Sequence, residues 1–309
     1  MWWTAAGSEL VMSQPTLLAV DWGTTRLRAW LLDAQGVALA RLVAESGIQS
    51  VTAGGFAAAF EAACGAWLPA HPRLPVLMAG MVGSRHGWCE VAYARAPCGV
   101  ADLAGGLGAV AAGGRALHIV PGVDCRAEDG AYDVMRGEET MALGAQVDAG
   151  LICQPGTHSK WIEMRGGRIA GFASFITGEL YAAISASFVA RLAEAPDAPD
   201  GSRAGLAAAR MKGGLSRALF QARTRVLAGD MAGTGVRPFI SGLLAGAEIA
   251  GALDLYGPAS EICLIAAEPH LSPYRAALAD AGPRVRVIDP EAAFISGLTR
   301  IARAAALTG

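Results

Sequence analysis

The chain has 309 residues, 53% of them hydrophobic and 17% charged, with a formal net charge of −2. That balance supports a large buried core and excludes intrinsic disorder; the 25 basic residues are scattered, which excludes a nucleic-acid footprint. No uninterrupted apolar stretch reaches the roughly 20 residues that span a bilayer, so no membrane partner is expected.

The opening residues, MWWTAAGSELVMSQP, lack the basic start and long apolar middle of a signal peptide. Residues 1–14 are therefore expected to be a disordered extension of a cytoplasmic protein, with Met12 as its natural start. Strands are expected at Thr16–Val20, Leu27–Leu32 and Val37–Val43, the last two joined by a turn at Asp33–Gly36. Between the first two, the apolar run breaks on Asp21, Gly23, Thr24, Thr25 and Arg26. Gly55–Leu68 has helical spacing and ends in the breaker PAHPRLP. Val76–Gly80 reads as a short buried strand entering the glycine-rich loop GMVGSRHGW, and Leu117–Gly122 as another strand. Gly137–Val147 reads as a helix, and Glu194–Arg203 as a surface loop. Phe239–Ile249 reads as a strand end or loop running into a helix, and Leu264–Leu278 as strand, loop and helix. The last segment has helical spacing, with Asp289 as cap and Pro290 in the first turn. Six cysteines without a C-x-x-C pair predict buried reduced thiols rather than disulfides or a zinc site.

Leu151–Phe175 repeats the plan of the opening stretch. An apolar strand leads to Gly156 and Thr157, 133 residues after Gly23 and Thr24, and two further strands follow around a turn at Gly166–Gly167. A tight turn built from glycine and threonine offers backbone N–H groups and hydroxyls with little bulk, which suits phosphate oxygens. Asp21 at the mouth of the first turn is able to hold a hydrated Mg²⁺. A plain hairpin with threonine as a strand former explains one such turn, but a pair at equivalent places favours a two-sided phosphate clamp.

VDWGTTRLRAW and PGTHSKWIEM resemble the two phosphate motifs of the sugar kinase, heat-shock-70 and actin superfamily. Together with AGMVGSRHGW, DVMRGEET and FITGELY they resemble the 2-dehydro-3-deoxygalactonokinase family, from about Leu17 to the C-terminus. The resemblance implies an α/β fold of two ribonuclease-H-like domains, the actin-like ATPase fold, around a nucleotide cleft. Domain I would span 15–130, domain II 131–290, and a C-terminal helix over 291–309 would return to domain I. The implied reaction is ATP-dependent phosphorylation of 2-dehydro-3-deoxy-D-galactonate at its 6-hydroxyl, with ATP and Mg²⁺ as cofactors and a small sugar acid as partner; a homodimer is compatible with it. Asp21, Gly23, Thr24 and Thr25 would hold phosphates and metal. Gly156, Thr157, His158, Ser159 and Lys160 would hold the far side of the triphosphate, Lys160 as a point charge or else as a strand-edge lysine. Gly242 and Ala267 would lie at the adenosine site, where alanines replace the usual glycine.

A sugar-acid carboxylate calls for a guanidinium. Arg85 in GSRHGW is one candidate and Arg26 another, with Ser84, Trp88 and Glu90 beside Arg85 as further substrate contacts. Superfamily kinases place a base before a domain II helix. Here that position holds Glu138 and Glu139, with Asp133 as a third candidate, and charges complementing the helix dipole are the alternative. A kinase of another sugar, a nucleotide-driven protein machine and a non-catalytic nucleotide sensor are the competing functions.

Overall fold

The structure is a computed structural model that describes residues 14–187, 191–198 and 200–308. The extension expected over 1–14, with Met12, lies outside these residues apart from Gln14. Two compact units divide the chain. The first holds the described residues up to Ala92, Leu103–Pro121 and those from Leu298 onward; the second holds Tyr93–Asp102 and Gly122–Gly297. This division differs from a single break after residue 130. Ala94–Arg95 (β5) pairs with Val123–Arg126 (β8), and that pairing carries both segments into the second unit.

The first unit is built on a six-stranded sheet. Its central strand β1 (Leu17–Trp22) pairs antiparallel with β2 (Leu27–Leu32), which pairs with β3 (Ala38–Ala44). On its other side β1 runs parallel to β4 (Val76–Ala79), followed by β7 (Arg115–Ile119) and β6 (Gly108–Ala112). Leu17–Val20 are at most 1% exposed, and a strand covered on both faces reads as a continuous apolar run rather than an alternating one. Asp33 makes the β2–β3 turn: its Oδ1 accepts from the amides of Gln35 (2.9 Å) and Val37 (2.8 Å). Helix α1 (Phe56–Cys64) is shorter than the expected Gly55–Leu68, since a 3-10 turn takes over at Gly65–Trp67. A short helix α2 (Val100–Gly105) precedes β6.

The second unit repeats the strand order. Its central strand β10 (Gly150–Gln154) pairs antiparallel with β11 (Ser159–Arg165), which pairs with β12 (Arg168–Phe175). On the other side β10 runs parallel to β13 (Glu261–Ile265), and β13 to β14 (Arg284–Ile288). Gly166 and Gly167 have φ of 58° and 68°, which matches the twist of a two-residue hairpin. Strand β9 (Tyr132–Met135) completes a small sheet with β5 and β8. The strand plan inferred from the two glycine-threonine stretches is present in both units.

The second unit also holds α3 (Glu138–Gly144), α4 (Thr177–Ser185), α5 (Asp200–Ala209), α6 (Gly214–Ala228), α7 (Val236–Tyr256) and α8 (Leu271–Ala281), while α9 (Pro290–Ala304) starts in it and belongs to the first unit from Leu298. Two expectations change here. Helix α5 starts inside the segment Glu194–Arg203, and Phe239–Ile249 lies within the continuous α7 rather than entering it from a strand. The glycines responsible serve helix contact: a Cβ on Gly205 would meet Phe239 O at 2.1 Å, and one on Gly242 would meet Ser202 O at 2.2 Å. By length and composition alone, Gly233–Tyr256 also reaches what a membrane span requires, contrary to the sequence count. Its apolar residues serve two cores, Ala245, Ile249 and Ala252 on one side and Phe239, Ile240 and Leu243 on the other. Helix α9 begins as expected, the Ala292 amide donating to Asp289 Oδ1 at 2.9 Å. It crosses α3 closely, since a Cβ on Gly297 would meet Thr140 O at 2.0 Å. All six cysteines are unpaired and five are buried.

Candidate functional site

The first loop, Gly23–Arg26, joins β1 to β2 and is held by its carbonyls. Gly23 O, Thr24 O and Thr25 O accept from the amides of Ile48, Gln49 and Gly47 at 3.0–3.2 Å. The Gly23 amide closes the turn on Arg26 O at 2.9 Å, so the glycine supplies the bend rather than a donor. The amides and hydroxyls of Thr24 and Thr25 have no protein partner among the described residues. A loop anchored through every carbonyl and open at its donors is a nest for anionic oxygens.

Asp21 stands directly opposite Arg28 in the hairpin, and the guanidinium lies 3.1 Å from Oδ2. Asp21 is also level with Ala79 of the parallel β4. The next residue, Gly80 (φ 94°), leaves no room for a side chain: a Cβ there would sit 3.0 Å from Trp22 O and 3.3 Å from Asp21 Oδ1. Beyond Gly80 lies the expected substrate loop. Ser84 is buried, and its hydroxyl has no partner among the described residues. Arg85 is 79% exposed and 3.6 Å from Glu90. Trp88 packs edge-on to Trp22 (6.1 Å) and stacks with Phe56 (6.3 Å), which joins it to the first unit's aromatic core. Arg26 is turned to Glu45 at 2.9 Å.

The second loop, Pro155–His158, is held through one carbonyl and one side chain. Thr157 O accepts from the Glu179 amide at 3.0 Å, and Gly178 fits so closely that a Cβ would meet Gly156 O at 2.3 Å. His158 Nε2 lies 2.6 Å from Glu179 Oε2, which ties the loop to α4. The amides of Thr157 and His158 have no protein acceptor among the described residues. Lys160, 5% exposed, has no carboxylate or other side-chain partner among the described residues. A buried ammonium without a counter-ion is costly unless a ligand supplies the anion.

Gln154 faces Lys160 across β10 and β11, and its Nε2 donates to Glu138 O at 3.1 Å. The Gln154 Oε1 atom is buried without a partner among the described residues. That bond brings the start of α3 to the second loop, and so brings together two sets of residues inferred separately from sequence. At the start of α3, Gly137 has φ 109° and its amide donates to Glu139 Oε2 at 2.6 Å. Thr140 Oγ1 donates to Glu139 Oε1 at 2.9 Å. Glu139 has no exposed surface; burial, and then the charge of Glu138, push its carboxyl up to about 7. Glu138 is half-buried and accepts from the Arg136 amide at 3.0 Å. Asp133 is engaged elsewhere: its two oxygens accept from the amide and hydroxyl of Ser174 at 2.6 and 2.7 Å.

Of the two adenosine-side candidates, Ala267 is exposed just beyond β13, at the same end of the parallel strands as the second loop. Gly242 is buried in mid-helix, where a Cβ would meet Ser202 O at 2.2 Å. Sequence reasoning missed Arg28 and Gln154, which the fold sets beside Asp21 and Glu138. Arg28 was legible, because a four-residue turn over 23–26 sets residue 28 against residue 21.

A profile of the 2-keto-3-deoxy-galactonokinase family matches residues 21–301. The chain is 37% identical to a probable 2-dehydro-3-deoxygalactonokinase of Rhizobium meliloti (strain 1021), over 93% of this chain and 96% of that protein. It is 33% identical to the 2-dehydro-3-deoxygalactonokinase of Escherichia coli (strain K12), over 94% and 98%. A crystal structure of a Sinorhizobium meliloti protein described under the same enzyme name superposes with a TM-score of 0.86 at 34% identity, covering 93% of this chain and 98% of that one. The activator of 2-hydroxyisocaproyl-CoA dehydratase from Clostridium difficile, solved with ADPNP, gives a TM-score of 0.53 at 11% identity over 93% and 95% of the two chains, a likeness of fold alone. The fold is the actin-like ATPase α/β fold. With the match running from Asp21 through both glycine-threonine loops to α9, the chain belongs to the 2-keto-3-deoxy-galactonokinase family.

Proposed function

We propose that this protein is a cytoplasmic carbohydrate kinase that transfers the γ-phosphoryl group of ATP to the 6-hydroxyl of 2-dehydro-3-deoxy-D-galactonate. The products are ADP and 2-dehydro-3-deoxy-6-phospho-D-galactonate. The observation that carries the reading is the recurrence of one loop type in both units. Each loop follows a central strand, is anchored through backbone carbonyls in the first case and through Thr157 O in the second, and leaves threonine donors open: Thr24 and Thr25 in one, Thr157 in the other.

Phosphoryl transfer asks for positioning and charge stabilisation. In this reading the Thr24, Thr25, Thr157 and His158 amides bind phosphate oxygens, and Lys160 supplies a buried positive charge. Mg²⁺, when bound, neutralises charge on the phosphates. The residues fit that ion. Mg²⁺ takes one or two carboxylates with waters and phosphates, and Asp21 offers a single part-exposed carboxylate at the first loop. Among the described residues no group of three His, Cys, Asp or Glu forms a dedicated cage.

Glu138 is the carboxylate assigned to the attacking hydroxyl, because it retains exposed surface and Glu139 has none. Glu138 takes the hydroxyl proton as the new O–P bond forms and the bond to ADP breaks. Glu139 holds the start of α3 through the Gly137 amide and so fixes Glu138. Arg85, exposed beside the buried Ser84, is assigned to the sugar-acid carboxylate. The test is a coupled assay of the purified protein with ATP, Mg²⁺ and a panel of 2-keto-3-deoxy sugar acids, the product located by phosphorus NMR. Turnover with phosphate on the terminal hydroxyl is expected. Tight nucleotide binding with no turnover on any member would leave a sensor in place of a kinase.

A further inference from the structure

We propose that Glu248 is the positioning residue of the second phosphate loop, acting through Tyr274 and Ser159; the inference rests on the kinase reading above. Glu248 lies in α7 and is 3% exposed. Its Oε1 accepts from Trp161 Nε1 at 2.9 Å and its Oε2 from the Tyr274 hydroxyl at 2.6 Å. An indole N–H and a phenol O–H thus satisfy one oxygen each of a buried acid inside an otherwise apolar core of Cys153, Ile249 and Leu264.

The cluster reaches the loop in two steps. Ser159 Oγ is 3.2 Å from Tyr274 Oη, and the Gly156 amide donates to Ser159 Oγ at 3.4 Å. The direction of this chain is set at its buried end. An ionised carboxylate only accepts, so the single phenolic proton of Tyr274 goes to Glu248. Tyr274 can then only accept from Ser159, whose proton points away from the loop. Ser159 is left with lone pairs toward the Gly156 amide, which holds that amide inward while those of Thr157 and His158 stay open. The start of α4 supports the same loop: Gly178 packs against Gly156 O, and the Glu179 amide donates to Thr157 O at 3.0 Å. Tyr274 belongs to α8, the helix that follows the Ala267 loop. One buried acid thus joins the adenosine-side helix to the phosphate loop.

A carboxamide of the same shape reverses the chain. In Glu248→Gln the amide group donates to Tyr274, the phenol donates to Ser159, and the serine proton is turned against the Gly156 N–H. The test measures ADP affinity by titration calorimetry, together with KM for ATP and for the sugar acid, on the full chain and on Glu248→Gln, Tyr274→Phe and their double variant. Each single change is expected to weaken ADP about tenfold and to raise KM for ATP to match, with KM for the sugar acid unchanged. The double variant is expected to be no weaker than the weaker single one, since both cut the same chain. Tyr274→Phe keeps the packing volume and carries the test if Glu248→Gln does not fold. Unchanged ADP affinity in a folded Tyr274→Phe, additive losses, or equal effects on both KM values would overturn the positioning role. Failure of the unsubstituted protein to bind ADP would overturn the kinase reading and this inference with it.

Discussion

Arg28 holds a guanidinium nitrogen 3.1 Å from Asp21 Oδ2, directly across the β1–β2 hairpin. The pair is part-exposed, at 43% and 24% of side-chain surface, so it contributes little to stability and acts chiefly on the direction and charge of Asp21. Arg28→Gln should change unfolding free energy by less than ~1 kcal/mol in urea titrations. Asp21→Asn should lower kcat by roughly 10²–10³-fold while the protein stays folded. Near-normal turnover in Asp21→Asn would remove Asp21 from the phosphate and metal site.

The adjacent acids of α3 separate by kinetics and by pH. Glu138→Gln should lower kcat by about 10²–10⁴-fold, the range for loss of a positioned base. Glu139 has its carboxyl raised from 4.5 to about 7, chiefly by burial. The native state therefore holds this proton more tightly than the unfolded chain does. The resulting stabilisation is full below about pH 4.5 and is lost as pH rises to about 7. Urea unfolding at several pH values should show the unsubstituted protein losing stability relative to Glu139→Gln across that window. A difference that stays flat with pH would show that Glu139 does not titrate there.

Lys160→Met tests the buried ammonium. Replacing an unpaired buried charge with an apolar side chain of similar length should raise the stability of the ligand-free protein by ~1 kcal/mol or more. The same change should weaken ADP binding about tenfold, through loss of a charge-assisted contact. The two measurements move in opposite senses only if the lysine awaits an anion. A fall in ligand-free stability would mean that Lys160 already has its counterpart in the folded protein.

Arg85→Lys should raise KM for the sugar acid about tenfold and leave that for ATP nearly unchanged, because an ammonium cannot replace a bidentate fork. Among the described residues Arg85 pairs with Glu90 alone, at 3.6 Å and with both groups well exposed, so stability should not change measurably. Equal effects on both KM values would make Arg85 a part of the loop rather than a substrate contact.

The two glycine-threonine loops were legible because their signal is local. A strand that stops on glycine and threonine states a turn with open donors, and its recurrence at Gly156 and Thr157 states that the turn is a unit of the architecture. The α9 start was legible for the same reason, Asp289 and Pro290 being a cap and a first-turn residue. Phe239–Ile249 misled because glycines in an apolar run resemble a loop; in the folded chain they are the points where α5 and α7 touch. Trp88 was ambiguous in sequence, and its stacking on Phe56 depends on a neighbour 32 residues away.

Residue order alone therefore determined the α/β repeat, the two loops and the candidate acids, since turn chemistry and strand periodicity act over a few residues. The folded chain decided how those pieces serve one another. Gln154 reaches Glu138 across 16 residues, Trp161 meets Glu248 across 87, and Ser159 meets Tyr274 across 115. Such contacts are written nowhere in a local pattern. They exist because a buried polar group must find its partner wherever packing brings one, and only the tertiary structure supplies that neighbour.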